Sequence, residues 1–362
     1  ADLVLDARVN DDTNSRRQPV SDIEFQARTR VRVEGGSVDV AGSQFTVTGA
    51  DAVTIMLNVS TNFVRFNSLE GDPGARSLAT IEAADAKGYE AVRADQLADY
   101  QELFNRVTID LGGAEMADIP TNQRLEHMNT AFRAFKDVHG WGDPDDFTQH
   151  FSGDDPHLVA LNLQMARYLM ISGSRPGSQP LTLQGKWNNE LDPSWESKMT
   201  LNINQEMNYW MAEMANLPES HLPMTEMVRD LSESGAVVAQ AHYDADGWVV
   251  HHNTDLWRGA APINNPGGVW PTGGAWLSMH MWWHYEYSQD HDFLRQRGYP
   301  FLKEVAAFYE SYLIKDTSGT YQIVPSQSPE NRHKSGGDSP VTLGVSSAMD
   351  VQLVWDVLTH AI

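Results

Sequence analysis

The chain has 362 residues, 41% of them hydrophobic, no cysteine and a formal charge of −23 at pH 7. Its length and apolar content suit two domains with a sizeable core, and the missing cysteine excludes a disulfide framework, a thiolate nucleophile and thiolate metal ligands. The acidity argues against nucleic acid and polyanionic substrates, and no apolar run is long enough to span a membrane, so a neutral ligand is expected.

Residues 1–85 read as antiparallel β structure, a partial N-terminal β-sandwich serving as scaffold. Leu3-Val4-Leu5 is strand-like, Val31 to Val40 alternates around a Gly35-Gly36 turn, and the stretches from Phe45 and from Ala52 continue the pattern. Residues 86–119 read as a linker, with a helix over 80–104 and a strand over Arg106–Leu111. From 120 to 362 the chain reads as helical. Helices are predicted at about 122–136, 156–173, 204–216, 223–243, 273–288, 290–314 and 346–361. Long, polar, motif-rich loops separate them. Pairs of helices around such loops suggest an α/α toroid, with an irregular bundle as the alternative.

One stretch is dense in amides and indoles, from Gln184 to Trp210. Trp187, Trp195 and Trp210 are flat apolar plates, and Asn188, Asn189, Asn202, Asn204 and Asn208 can each donate and accept. Sugars need that combination, because their C–H faces stack on rings while their hydroxyl rims bind amides and carboxylates. Eleven tryptophans in the chain favour the same ligand class. Asn202 and Asn204 alternate about Ile203, so an extended segment would point both to one face, just before a helix. The competing reading makes these residues caps and core.

Glu330 stands in a loop, Pro325-Ser326-Gln327-Ser328-Pro329-Glu330-Asn331. Such a carboxyl is either a solvated surface group or, facing a Trp-lined pocket, a general acid kept protonated by burial. Asp255 reads as an Asx-turn or helix cap, or else as an acceptor for a sugar hydroxyl. His251 and His252 lack the spacing of a zinc site, so no metal and no cofactor are expected; packing or a sugar contact suits His252. No nucleophile elbow, Walker loop or dinucleotide fingerprint occurs.

Five ordered motifs carry a resemblance. They are Arg175-Pro176-Gly177-Ser178, Leu183 to Asn188, Leu201 to Trp210, Gly273-Gly274-Ala275-Trp276 and Pro325 to Asn331. Together they resemble glycoside hydrolase family 95, a family of α-L-fucosidases with some α-L-galactosidases. The resemblance implies a multidomain β + α protein: an N-terminal β-sandwich, a helical linker and an (α/α)6 toroid catalytic domain, each of the two domains partial here. It implies an inverting glycosidase that releases terminal, α-1,2-linked L-fucose without a metal. Glu330 is then the general acid, and Asn202 and Asn204 hold the attacking water. Thr200, His252, Asp255, Trp270 and Trp276 become sugar-binding positions.

Within that resemblance, Thr200 leaves α-L-galactosidase open, because a small hydroxyl side chain can bind the extra 6-hydroxyl of galactose. A non-catalytic glycan-binding protein is the alternative from another class, and an α/α phosphorylase the alternative among enzymes. The expected partner is a fucosylated or L-galactosylated oligosaccharide. About seven helical segments do not close an (α/α)6 ring, so the remainder of the same polypeptide is expected, and with it an aspartate that supports water activation beyond Ile362. Alone, the chain is expected to be insoluble or inactive. An extracellular, periplasmic or cell-surface location is expected from the acidity and the substrate.

Overall fold

The structure, a computed structural model, describes residues 2–9, 22–140, 155–264, 266–334 and 340–362. The chain folds as two units. The first comprises Ala1–Gln101 with Asp255–Gly259, the second Glu102–Thr254 with Ala260–Ile362.

The first unit is built on a three-stranded antiparallel sheet. Its strands are β1 (Asp2–Arg8), β2 (Glu24–Glu34) and β5 (Ala52–Thr61), in the order β1-β2-β5. Between β2 and β5 the chain makes a separate hairpin of β3 (Ser37–Ala41) and β4 (Gln44–Thr48). Gly35-Gly36 is therefore a corner between two sheets and not the hairpin turn expected. Gly36 has φ 61°, and a Cβ there would run into the Thr48 carbonyl, so glycine is required.

Helix α1 (Pro73–Lys87) packs on β2 and β5 and buries Ser77 and Ile81. Asp72 caps it through Ala75 N, and Pro73 opens it, a start signal several residues ahead of the predicted 80. Arg30 ties sheet to helix, its Nη1 lying 2.8 Å from Asp85 and its Nε 2.6 Å from Asp2. The hydrogen bond from Arg30 brings the Asp2 carboxyl down to about 2. Val53, Ile55, Leu57 and Val59 of β5 are exposed, and among the described residues no second sheet covers them. Among the described residues the unit is a three-stranded sheet with a helix on it and a separate hairpin.

Gly88, at φ 80°, ends α1 before α2 (Tyr89–Phe104). The strand expected at Arg106–Leu111 does not form. Among the described residues no strand pairs with it; the Val107 carbonyl instead accepts from the Gln164 side chain at 3.0 Å.

The second unit is helical, with α3 (Thr121–His139), α4 (Pro156–Gly173), α5 (Asn204–Met214), α6 (Pro218–Tyr243), α7 (Gly273–Ser288), α8 (Tyr299–Tyr312) and α9 (Ala348–His360). Helix α6 starts at Pro218, five residues before the expected 223, because Pro218 fits the first turn. The helix expected over 290–314 forms as one continuous run from His291 to Tyr312. A π-helical turn at Leu294–Gly298 widens it just before α8, whose Pro300 has no N–H to continue a regular ladder.

Helix α7 is the hub, touching α5, α6, α8 and α9. Its sequence has apolar side chains on all sides, the pattern of a helix enclosed by others. Its glycines allow this. A Cβ on Gly273 would lie 2.7 Å from the Val250 carbonyl, and one on Gly274 3.0 Å from the Trp248 ring.

Arg167 on α4 is fully buried and stitches the C-terminal ends of α2 and α5. It donates to Leu103 O at 2.9 Å, Phe104 O at 2.7 Å and Ala215 O at 3.3 Å. Arg167→Met leaves three carbonyls without that donor and should cost about 3 kcal/mol, with Arg167→Lys recovering part. Urea unfolding of the whole protein measures this; a loss below about 1 kcal/mol would show that the stitch is not needed.

Candidate active site

A two-residue pairing builds one wall of the site. Met199–Thr200 (β6) runs antiparallel to Asn253–Thr254 (β7), with Thr200 opposite Asn253. Leu201 N donates to His252 O at 2.7 Å and extends the pairing. The chain then turns through residues 201–203 and enters α5 at Asn204. Ile203 sits at φ 156° and ψ −41°, an uncommon backbone for a β-branched residue, so its surroundings hold the turn. The extended segment predicted across Asn202–Asn204 is thus a turn, yet both amides line one cavity.

That cavity measures about 410 Å³. Thr200, Asn202, Asn204, His252, Asn253 and Asn264 line it, together with Gln184, Trp195 and Glu330. A second space of like volume shares Asn202, His252, Asn264 and Glu330, and adds Gln327 and Arg332. The structure therefore brings together Glu330, Asn202, Asn204, Thr200 and His252, five of the eight site residues picked from the sequence. Asn253, Asn264, Gln327 and Arg332 were not picked. Gln327 stands inside the Pro325–Asn331 motif and Asn253 follows His252, so their neighbours carried the signal.

The cavity is rich in acceptors. Asn202 Oδ1, Asn253 Oδ1, Gln184 Oε1 and Gln327 Oε1 are buried and have no partner among the described residues. A buried amide oxygen costs about 1–3 kcal/mol unless something donates to it. Hydroxyl groups are suitable donors. Burial pulls His252 below the usual histidine range, against the Gly268 backbone and the Glu330 carboxylate, so its ring stays neutral. Glu330 is exposed, and Trp195 is the one tryptophan on the cavity wall among the described residues. The Trp-lined enclosure expected around the acid is not formed by these residues.

The sequence matches the Glycosyl hydrolase family 95 catalytic domain over residues 88–362. The chain belongs to glycoside hydrolase family 95. It is 34% identical over 348 residues to "Alpha-L-fucosidase 2" of Arabidopsis thaliana, covering 94% of this chain and 39% of that protein. It is 31% identical over 363 residues to "Probable alpha-fucosidase A" of Aspergillus niger, covering 95% of this chain and 42% of that protein. The chain thus spans about two fifths of these relatives. A solved structure from the human microbiome, described as a putative kojibiose phosphorylase, superposes with a TM-score of 0.61 at 8% identity, over 99% of this chain and 41% of that one. At that identity the likeness concerns fold alone.

Three residues expected at the sugar in a family 95 site are placed elsewhere. Trp270 is wholly buried and presents no face to a ligand. Its indole N–H needs an acceptor and finds Asp350 Oδ1 at 3.0 Å. Trp276 is half-buried and meets Trp270 edge-on, with centroids 6.1 Å apart. Asp255 belongs to the segment grouped with the first unit, where its Oδ1 accepts from Trp257 N and Gly259 N. That is an Asx-turn, the plainer of its two sequence readings.

Among the described residues, Glu213, His221 and His284 could together take a metal, their ligand atoms lying within 4.8 Å of one another. They already bond to each other, His221 Nδ1 at 2.8 Å and His284 Nδ1 at 2.7 Å from Glu213 Oε1. Burial would raise Glu213, but the two histidine bonds outweigh it and bring its pKa to about 2. None of the three lines the cavity that holds Glu330.

Behind the cavity wall, His251 is fully buried. Its Nε2 accepts from the Tyr243 hydroxyl at 2.6 Å, and its Nδ1–H donates to Ala260 O at 2.8 Å. Burial lowers its pKa from 6.5 to about 4. The fold disfavours the protonated ring, so the unfolded chain takes up the proton first. This contribution is fully present above pH 6.5 and is lost as pH falls toward 4, by about 3 kcal/mol in all. Melting temperatures between pH 7 and 4.5 should fall more steeply for the wild type than for His251→Gln; equal slopes would refute the assignment.

Proposed function

We propose that the whole protein carrying this chain is an inverting glycosidase that removes terminal α-L-fucose, in α-1,2 linkage, from oligosaccharides or glycans. One observation carries the reading: an acid, Glu330, shares a cavity with two amides, Asn202 and Asn204, and with acceptor-rich walls suited to hydroxyls. Membership of family 95 and the fucosidase names of the relatives support it.

In this reading Glu330 protonates the departing glycosidic oxygen as the C–O bond breaks. Asn202 and Asn204 orient a water on the opposite face of the ring. Inverting enzymes keep the two groups roughly 6.5–9.5 Å apart to admit that water. An amide is a weak base, so the water's proton passes to a carboxylate, which the family resemblance puts beyond Ile362. His252, held neutral, donates or accepts without placing a charge beside the developing oxocarbenium ion. Trp195 offers a ring at the mouth. The helices belong to an (α/α)6 toroid completed by further chain, and a substrate of this kind suits an extracellular, periplasmic or cell-surface protein.

Arg332 favours a second reading, because it puts a cation on the cavity wall beside the acid. A phosphorylase would use such a cation to bind phosphate. Product formation that requires phosphate would replace hydrolysis by that reaction.

The test is Glu330→Gln in the whole protein. Fucose release from 2′-fucosyllactose should fall about 10²–10⁴-fold, with binding retained. Unchanged turnover would remove Glu330 from the mechanism. Thr200→Val should lower activity on an L-galactoside relative to an L-fucoside by about 10-fold if Thr200 binds a 6-hydroxyl. An unchanged ratio would free Thr200 of that role.

A further inference from the structure

The loop that bears Glu330 has to be held from behind, because the acid itself is exposed. Its inner residues are Ser326 and Gln327, both buried. Ser326 Oγ donates to Asp350 Oδ2 at 2.6 Å, and Gln327 N donates to the same oxygen at 2.9 Å. The other oxygen, Oδ1, accepts from Thr272 Oγ1 at 2.6 Å and from Trp270 Nε1 at 3.0 Å. Asp350 is wholly buried, and four donors occupy its two oxygens.

The local sequence suggests a different arrangement. Ser347-Ala348-Met349-Asp350 at the start of α9 has the spacing of a capping box, in which the acid would turn back to the Ser347 N–H. In the structure Ser326 Oγ takes that N–H at 2.8 Å. Ser347 Oγ still caps the helix by accepting from Asp350 N at 3.3 Å, and it donates to Gln327 O at 3.1 Å. The Asp350 carboxylate is thereby released to reach two other elements. It joins the acid loop to the start of α7 from the first turn of α9.

We propose that Asp350 is the positioning residue for the general acid, fixing the Glu330 loop against α7 and α9. It lines neither cavity and touches no reacting atom. The proposal rests on Glu330 being the acid. An asparagine at 350 keeps one oxygen but turns an NH2 toward two donors. The hydroxyl of Ser326 or Thr272 can reverse and accept from it. The N–H of Gln327 or Trp270 cannot, so one of those two bonds is lost. The bond expected to be lost is the one to Gln327, because Trp270 is packed in the core and the loop is the part free to shift.

The experiment compares wild type, Asp350→Asn and Glu330→Gln in the whole protein on two aryl α-L-fucosides. One has a poor leaving group, phenol. The other has a good one, 2,4-dinitrophenol, which departs without protonation. A misplaced acid matters only for the first. Asp350→Asn should lose about 10–100-fold in kcat on the phenyl fucoside, with KM within about threefold, and stay within about threefold on the dinitrophenyl fucoside. Equal losses on both would make Asp350 merely structural and overturn the proposal.

Glu330→Gln separates the two layers. If it shows no leaving-group dependence, the acid assignment fails, and Asp350 falls with it. If it shows the dependence while Asp350→Asn does not, the Asp350 proposal fails alone. Should Asp350→Asn not fold, Ser326→Ala removes one strand of the same tether and should show the same selective loss at smaller size; its absence would overturn the proposal too.

Discussion

Backbone pairing between Met199–Thr200 and Asn253–Thr254 decides where the candidate site of the helical unit lies. It joins two loops some fifty residues apart, and the Leu201–His252 bond carries the register into the turn before α5. Thr200, Asn202 and Asn204 come from one side of that seam, and His252 and Asn253 from the other. The opposite wall depends on Asp350, whose oxygens hold the Glu330 loop and the start of α7 together. Both devices act on loops, while the helices supply the rigid frame. Helix α7 makes that frame possible, because Gly273 and Gly274 let it lie against the backbone and ring of Trp248–Val250.

The polar economy of the site follows from this construction. Some buried polar groups of the helical unit are matched, as at Arg167 and in the Glu213–His221–His284 set, while others away from the cavity, such as the side chains of Gln205 and Glu206 and the Trp248 indole N–H, have no partner among the described residues. Around the cavity the amide oxygens of Asn202, Asn253, Gln184 and Gln327 are unmatched as well. Leaving several acceptors unmatched is costly in an ordinary core and useful where a hydroxylic ligand supplies the donors. A neutral His252 and uncharged amides suit a neutral sugar, in keeping with a surface whose net charge repels anions.

Much of the site was legible because its residue types cluster locally. Asn202, Asn204 and Thr200 stand within five residues, and Glu330 lies in a loop with little helical preference. Helix starts at Pro73 and Pro218 had readable signals in Asp72-Pro73 and Leu217-Pro218, which apolar periodicity alone overlooked. Trp270 was misjudged because an indole serves equally for stacking and for packing, and only its burial and its bond to Asp350 decide between them. Asp350 was invisible for a related reason. Its partners stand at 270, 272, 326 and 327, and its local spacing mimics a capping box. The strand read at Arg106–Leu111 shows the converse: alternation without a neighbouring strand does not make a sheet.

The central claim is that acid and water act from opposite faces of the sugar, and the configuration of the first-formed product reports this directly. Proton NMR of the whole protein acting on 2′-fucosyllactose, read in the first minutes before mutarotation, resolves the two anomers of free fucose. The initial product should be β-L-fucose, with the α anomer growing in later. Initial release of α-L-fucose would mean retention through a covalent intermediate and would contradict the roles given to Glu330, Asn202 and Asn204.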